Sequence, residues 1–446
     1  MRKTVYYHPK EGIFMVSQSI QEPESKKSGL SKSTLLLLLC WIVYTCSYIG
    51  KLSYGANIKP IGDAFDVLNA DTGLVSTCFF FAYGIGQIVN GILCKKYNVK
   101  YVVFTCLAIA SAMNLCVGFC PNFALLKYFW LVNGIVMSFL WPTLIRLLSE
   151  TMKKDKIDRA IVVMGTTVAT GTFLIYGISA LFTAIADYRW SFCVAATLLL
   201  TISIIWFFSF DRLVPALRRE CAEEEKQEKV VEEKSETGAS GAKVALKGLA
   251  LLICILAFFA VVNNFVKDGL TTWTPDILNA LYGTQDWLSI LLTLLLPLLA
   301  IPGTVFAVKV YNVVKKYIGA CTVMFVMSAV LMGLVIMFTF GFSGSTVAML
   351  ITVVSFALIS ALMSGIDNII VSMVPLQLKK HVNSGKLAGI LNGFCYLGST
   401  ISMYGLGAIA DNWGWEAGFY VLLGLIGLVV VVGIIYNFIS KKHVIR

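Results

Sequence analysis

Charge is what this sequence has least of: 14% of its 446 residues are Asp, Glu, Lys or Arg, while 58% are hydrophobic. Soluble chains are about a quarter charged, so the shortage excludes a conventional water-facing protein. Histidine is scarcer still, with only His8, His381 and His443. No G-x-S-x-G, P-loop or paired zinc spacing occurs, so the usual carriers of nucleophilic, phosphate-cradling and metal chemistry are missing. The twelve cysteines lack C-x-x-C spacing and lie mostly within apolar runs, where they read as small apolar residues rather than a disulfide or zinc framework. No enzyme, cofactor or metal is expected from such a chain. No small-residue cleavage site follows the first apolar run, so that run is expected to stay as a span.

What the sequence has is apolar length. Runs of about twenty residues, enough to cross a bilayer as helix, fall near 34–57, 72–93, 101–119, 124–150, 160–185, 190–210, 247–272, 286–310, 318–341, 346–374, 386–409 and 416–438. They predict an all-α membrane protein of twelve transmembrane helices in two groups of six. The long charged stretch RRECAEEEKQEKVVEEKSETGASGAK separates the groups and reads as a mobile or partly helical linker. The expected organisation is a cytoplasmic segment over 1–32, a first half over 33–210, a linker over 211–246, a second half over 247–438 and a tail over 439–446.

The net charge of +11 resides in short clusters between spans, and not on one amphipathic face, which argues for topology and against nucleic acid. Lys26, Lys27 and Lys32, then Lys95, Lys96 and Lys100, then Lys153, Lys154, Lys156 and Arg159 mark alternate connections. Lys315 and Lys316, Lys379 and Lys380, and Lys441 and Lys442 continue the pattern. The positive-inside rule then places both termini in the cytoplasm of a multi-pass protein of the cell membrane. The tetrapeptide AIAD occurs at 184–187 and again at 408–411, each time at the end of the fifth span of its half, which indicates an internal repeat. Repeated six-helix halves place a substrate site between them near the midplane.

Ionisable residues within spans are costly and mark function by default. Lys51 lies in span one, Lys267 and Asp268 in span seven, Asp367 in span ten and Arg146 towards the end of span four. Lys51 and Lys267 occupy matching places in the repeat. Facing each other, they would attract a phosphate or carboxylate; alternatively Lys267 pairs with Asp268 or Asp367 and Lys51 snorkels to the interface. Asp268, Asp367 and Arg146 are thus possible coupling or structural charges. Tyr44, Tyr48 and Lys51 share a helical face by their i, i+4, i+7 spacing. With Tyr83 and Tyr396 they are candidates for lining the cavity, or for packing. Glycines crowd spans five and eleven, where close helix packing is the plain expectation.

The stretches WPTLIR (141–146), FVKDGLTTWTPDIL (265–278), IPGT (301–304) and GKLAGILNGFCYLGSTISMYGLGAIADNWGWEAGF (385–419) resemble the organophosphate:phosphate antiporters of the major facilitator superfamily, a family that includes glycerol-3-phosphate and hexose-phosphate transporters. The resemblance implies an alternating-access transporter of a phosphorylated sugar or polyol, exchanged for inorganic phosphate. In that family an arginine on each of spans one and seven binds the phosphate, and the matching positions here are Lys51 and Lys267. Tyr44, Tyr48, Tyr83 and Tyr396 match tyrosines of the family's cavity. The family's span-five histidine falls near Val168, its span-two lysine at Gln87 and its span-eight acid near Pro297. This narrower cation set implies a less highly charged anion, or a phosphate compound held differently. Proton-coupled symport of a carboxylate and a transporter-like sugar-phosphate receptor are the alternatives. The expected partners are a small anionic substrate and the bilayer, with a monomer as the working unit.

Overall fold

The structure, a computed structural model, describes residues 31–93, 97–152, 154–232, 246–341, 345–378, 382 and 384–440. Most of the 1–32 segment, linker residues 233–245 and the tail from 441 lie outside the described residues. So do Lys26, Lys27, Lys95, Lys96, Lys153, Lys379, Lys380, Lys441, Lys442 and all three histidines.

The first half comprises α1 (Lys32–Ala56), the short α2 (Ile58–Phe65), α3 (Asn69–Leu93), α4 (Val99–Phe119), α5 (Phe123–Ser138), α6 (Leu140–Thr151), α7 (Lys154–Ile185) and α8 (Arg189–Glu232). The second comprises α9 (Leu246–Tyr282), α10 (Asp286–Thr293), α11 (Leu295–Val314), α12 (Tyr317–Gly341), α13 (Thr346–Asp367), a π-helical turn (Asn368–Met373), α14 (Val374–Gln377) and α15 (Ser384–Ser440). Side-chain caps start several of them: Ser31 accepts from the Thr34 N–H, Asn98 from Lys100, Asn122 from Ala124 and Ser345 from Val347, each satisfying an orphan donor of the first turn.

Among the described residues, eleven helices are long and apolar enough to cross a membrane, and the last of them covers 386–438. It is two spans, because Gly414 within it has φ 76° and ψ 169°, a backbone state that glycine adopts without penalty. Twelve spans result, at the expected places. The expected single spans near 124–150 and 286–310 are instead helix pairs, α5–α6 and α10–α11. Pro142 and Pro297 each sit at the third position of the second member, and a proline ring clashes with the turn before it. α8 runs unbroken beyond residue 210 to Glu232, so the first part of the linker is helical.

Contacts between the halves pair α3 with α15 and α7 with α10 and α11, which is span two against span eleven and span five against span eight. Exchanging the halves maps one pair onto the other, as a two-fold repeat requires. The polar ties across this interface concentrate at the ends remote from the basic loops. Asp411 accepts from the backbone N–H groups of Asn69 and Ala70 at 3.1 and 2.7 Å, capping α3 from the opposite half. Buried Asp276 accepts from Trp415 at 2.9 Å and from Asn69 at 3.2 Å, with Lys59 of α2 at 3.8 Å. Burial opposes the charge of Lys59, but the Asp63 hydrogen bond and the Asp276, Asp63 and Asp286 charges outweigh it and raise its pKa. The tyrosine Tyr176 adds a bond to the Thr271 carbonyl at 2.8 Å.

Candidate functional site

Lys51 lies about four-fifths of the way along α1 and is only 6% exposed. Its ammonium is 4.1 Å from the ring centroid of Tyr83, 4.8 Å from Tyr48, 4.9 Å from Tyr396 and 5.7 Å from Phe80. Each such contact offers about 0.5–2 kcal/mol. The Tyr396 hydroxyl accepts from Nζ at 3.5 Å. Tyr48 comes from the same helix one turn earlier, Phe80 and Tyr83 from one face of α3, and Tyr396 from α15, so the cage is shared by both halves. Among the described residues no carboxylate lies within ion-pair distance of Lys51. Lys51 does not snorkel; it is enclosed.

Tyr44 extends the cluster, with its ring 5.4 Å from that of Tyr48 and 4.8 Å from Trp141. Tyr83 and Tyr396 stand 4.6 Å apart, and Gln87 donates to the Tyr83 hydroxyl at 3.0 Å. The four tyrosines singled out from the sequence thus converge, Tyr44 and Tyr48 from one face of α1 and Tyr83 and Tyr396 from α3 and α15.

Lys267 is placed differently. Its ammonium is held by Asp367 of α13, with Asp268 at 3.9 Å. Asn263 and Asn264 both donate to Asp367 Oδ1, at 2.7 and 2.8 Å, and Asp268 accepts from Ser399 at 2.5 Å. For this lysine the structure shows the pairing arrangement, one of the two alternatives open from the sequence. Asp367 is the main partner because adjacent helix positions point about 100° apart, leaving Asp268 at the edge of reach. Lys267 and Asp268 remain close enough to act on the charge of Lys51.

Arg146 stands apart from this centre. It pairs with Glu150 one turn on, at 2.6 Å, and Glu150 also takes Arg218 at 2.6 Å, a tie between α6 and α8 near the basic loops. Phe80, Asn263, Asn264 and Ser399 were missed from the sequence, and Gln87 was noted there only as the position of the family's span-two lysine. Two of them carried a signal: Asn263 and Asn264 sit four and three positions before Lys267, on its helical face.

The sequence pattern of the Major Facilitator Superfamily matches residues 40–384. The chain is 24% identical over 386 residues to a "Probable hexose phosphate transport protein" of Chlamydia trachomatis, covering 79% of each chain. It is 19% identical over 398 residues to the membrane sensor protein UhpC of Escherichia coli, covering 87% of this chain and 88% of that one. Among solved structures, the xylose transporter XylE of Escherichia coli in a partially occluded inward-open conformation superposes with TM-score 0.70 at 12% identity, over 93% of this chain and all of that one.

Proposed function

We propose, from the premise that this chain belongs to the major facilitator superfamily and is a membrane transporter, not an enzyme, that its substrate is a small organic anion. A phosphorylated sugar or polyol, exchanged for inorganic phosphate, is the member of that class favoured by the hexose phosphate relatives. The observation that carries this reading is Lys51, a buried ammonium with no carboxylate partner among the described residues, ringed by phenols at the seam of the two halves. An enclosed cation without a counter-ion is costly, and an anion entering the cage relieves that cost. Tyr48, Tyr83 and Tyr396 supply hydroxyls for its oxygens, and Tyr44 steadies Tyr48.

Transport then follows from rocking of residues 33–210 against 247–438, with 211–246 as the tether. The protein works as a monomer in the cell membrane with both termini in the cytoplasm. The ties from Asp411 and Asp276 hold the end remote from the basic loops closed.

Uptake of a panel of radiolabelled phosphate esters and carboxylates into phosphate-loaded proteoliposomes tests this. The parent is expected to accumulate at least one anion, and Lys51→Ala to lose it by about tenfold or more, as when one partner of a buried charge contact is removed. Equal uptake by parent and variant would refute an anion site at Lys51. The UhpC relative motivates a second reading, a receptor, whose signature in the same experiment is saturable binding without flux.

A further inference from the structure

Four ionisable groups of opposite sign meet at the centre of the molecule. Lys51 and Lys267 contribute two positive charges and Asp268 and Asp367 two negative ones; Asp268 and Lys267 act on Lys51, and Asp367 and Asp268 on Lys267. Their formal sum is zero. The cancellation is uneven in space: Lys267 is spent on Asp367, whereas Lys51 has phenols and no carboxylate.

Asp367 is built into its place. Both its oxygens are engaged, Oδ1 by the amides of Asn263 and Asn264 and Oδ2 by Lys267, with the Cys395 thiol 3.9 Å from Oδ1. Asn263 also donates to the Met363 carbonyl at 3.1 Å, which ties the amide that holds the carboxylate to α13 itself. Directly after Asp367 the helix leaves α geometry for the π-helical turn Asn368–Met373, an irregularity frequent at functional sites. Three donors from α9 thus converge on one carboxylate across the helix interface.

We infer that Asp367 is a specificity residue: a resident anion that occupies Lys267 and restricts the site to substrates carrying a single negative charge. The inference rests on the anion-site reading above. A monoanion is balanced by Lys51 alone. A dianion brings a second charge into a centre whose other cation is already neutralised and whose remaining groups are two carboxylates. Discrimination by repulsion of the wrong partner requires no further contact to the right one. A phosphate monoester, with its second pKa near 6, enters as the monoanion.

A sulfate ester tests this, having the same tetrahedral head as a phosphate ester but one negative charge at any working pH. Uptake of radiolabelled glucose 6-sulfate and glucose 6-phosphate, and of the corresponding glycerol 3-esters, is measured at pH 8 in proteoliposomes holding the full-length protein. The parent is expected to prefer the sulfates by about tenfold. Asp367→Asn keeps the shape and frees Lys267, and should move the ratio about tenfold or more towards phosphate; Asp367→Glu should keep the parental preference. A merely structural role for Asp367 would lower both uptakes and leave their ratio unchanged, and that result overturns the inference. So does a parent that prefers the dianions, a measurement that needs no variant. Transport of dianions dependent on Lys51 would sink the charge limit and leave the anion site standing. Failure of every ester to bind or enter would sink both.

Discussion

The two lysines matched by the internal repeat illustrate how differently one residue type is stabilised in one membrane interior. Lys267 is satisfied by a carboxylate that is itself held by two amides, while Lys51 relies on ring faces and one long phenol contact. Removing one member of a paired set leaves the other uncompensated, so Asp367→Ala should cost about 3 kcal/mol. The double variant Lys267→Met/Asp367→Leu should recover most of that loss, read by thermal unfolding in detergent as a double-mutant cycle. Lys51 has nothing to orphan. Its desolvation outweighs cation–π contacts of about 0.5–2 kcal/mol each, and Lys51→Met is expected to raise stability by about 1 kcal/mol or more while abolishing anion uptake. A site that trades stability for function behaves this way. An unchanged or lower melting temperature for Lys51→Met would show that the rings alone balance the charge.

Helix α7 shows that glycines in one element do different work. At Gly171 an added Cβ would run into Tyr48 and lie 2.8 Å from the Thr45 carbonyl, whereas at Gly177 it would meet nothing within 4 Å. Close packing accounts for the first and not the second. Gly171→Ala should therefore push α7 off α1, cost about 1–3 kcal/mol by overpacking and displace Tyr48 from Lys51. Gly177→Ala should be neutral or gain up to about 1 kcal/mol. Melting temperatures of the two variants measured side by side decide the point, since crowding at both positions would give equal losses.

The repeat is a property of the whole chain, and its two copies of AIAD have diverged in role. Asp187 accepts from the nearby Arg189 N–H at 2.8 Å within its own half, whereas Asp411 reaches across to cap α3 of the other half. Two charge-assisted bonds across the seam make Asp411 a latch on the closed end, each worth about 1.5–3 kcal/mol. In a background stripped of accessible native cysteines, a Thr272→Cys reporter, buried at 5% in the closed seam, should react slowly with a membrane-impermeant thiol reagent. Adding Asp411→Ala should speed labelling about tenfold or more, and an unchanged rate would mean that Asp411 does not hold the end shut. Lys59 adds a pH limit. Its folded pKa lies above the ordinary lysine value, so its contribution is complete below that value and is lost only as pH rises through the folded pKa. Between pH 6 and 9 the Lys59 tie should stay intact.

The span positions, the count of twelve and the face shared by Tyr44, Tyr48 and Lys51 were legible in the sequence, because apolar length and helical spacing are local properties of the chain. The sequence also singled out Lys51, Lys267 and Asp367, since a charge inside an apolar run stands out without any knowledge of its neighbours. Which of two carboxylates takes Lys267 was not legible. Asp268 is adjacent and Asp367 is a hundred positions away, and the choice depends on the rotation and depth of α9 against α13. The same holds for Phe80 and Tyr396 around Lys51 and for the separate fates of Asp187 and Asp411. Contacts between helices are set by how side chains interdigitate across the bundle, so only the tertiary structure decided that one central lysine is neutralised and the other is not.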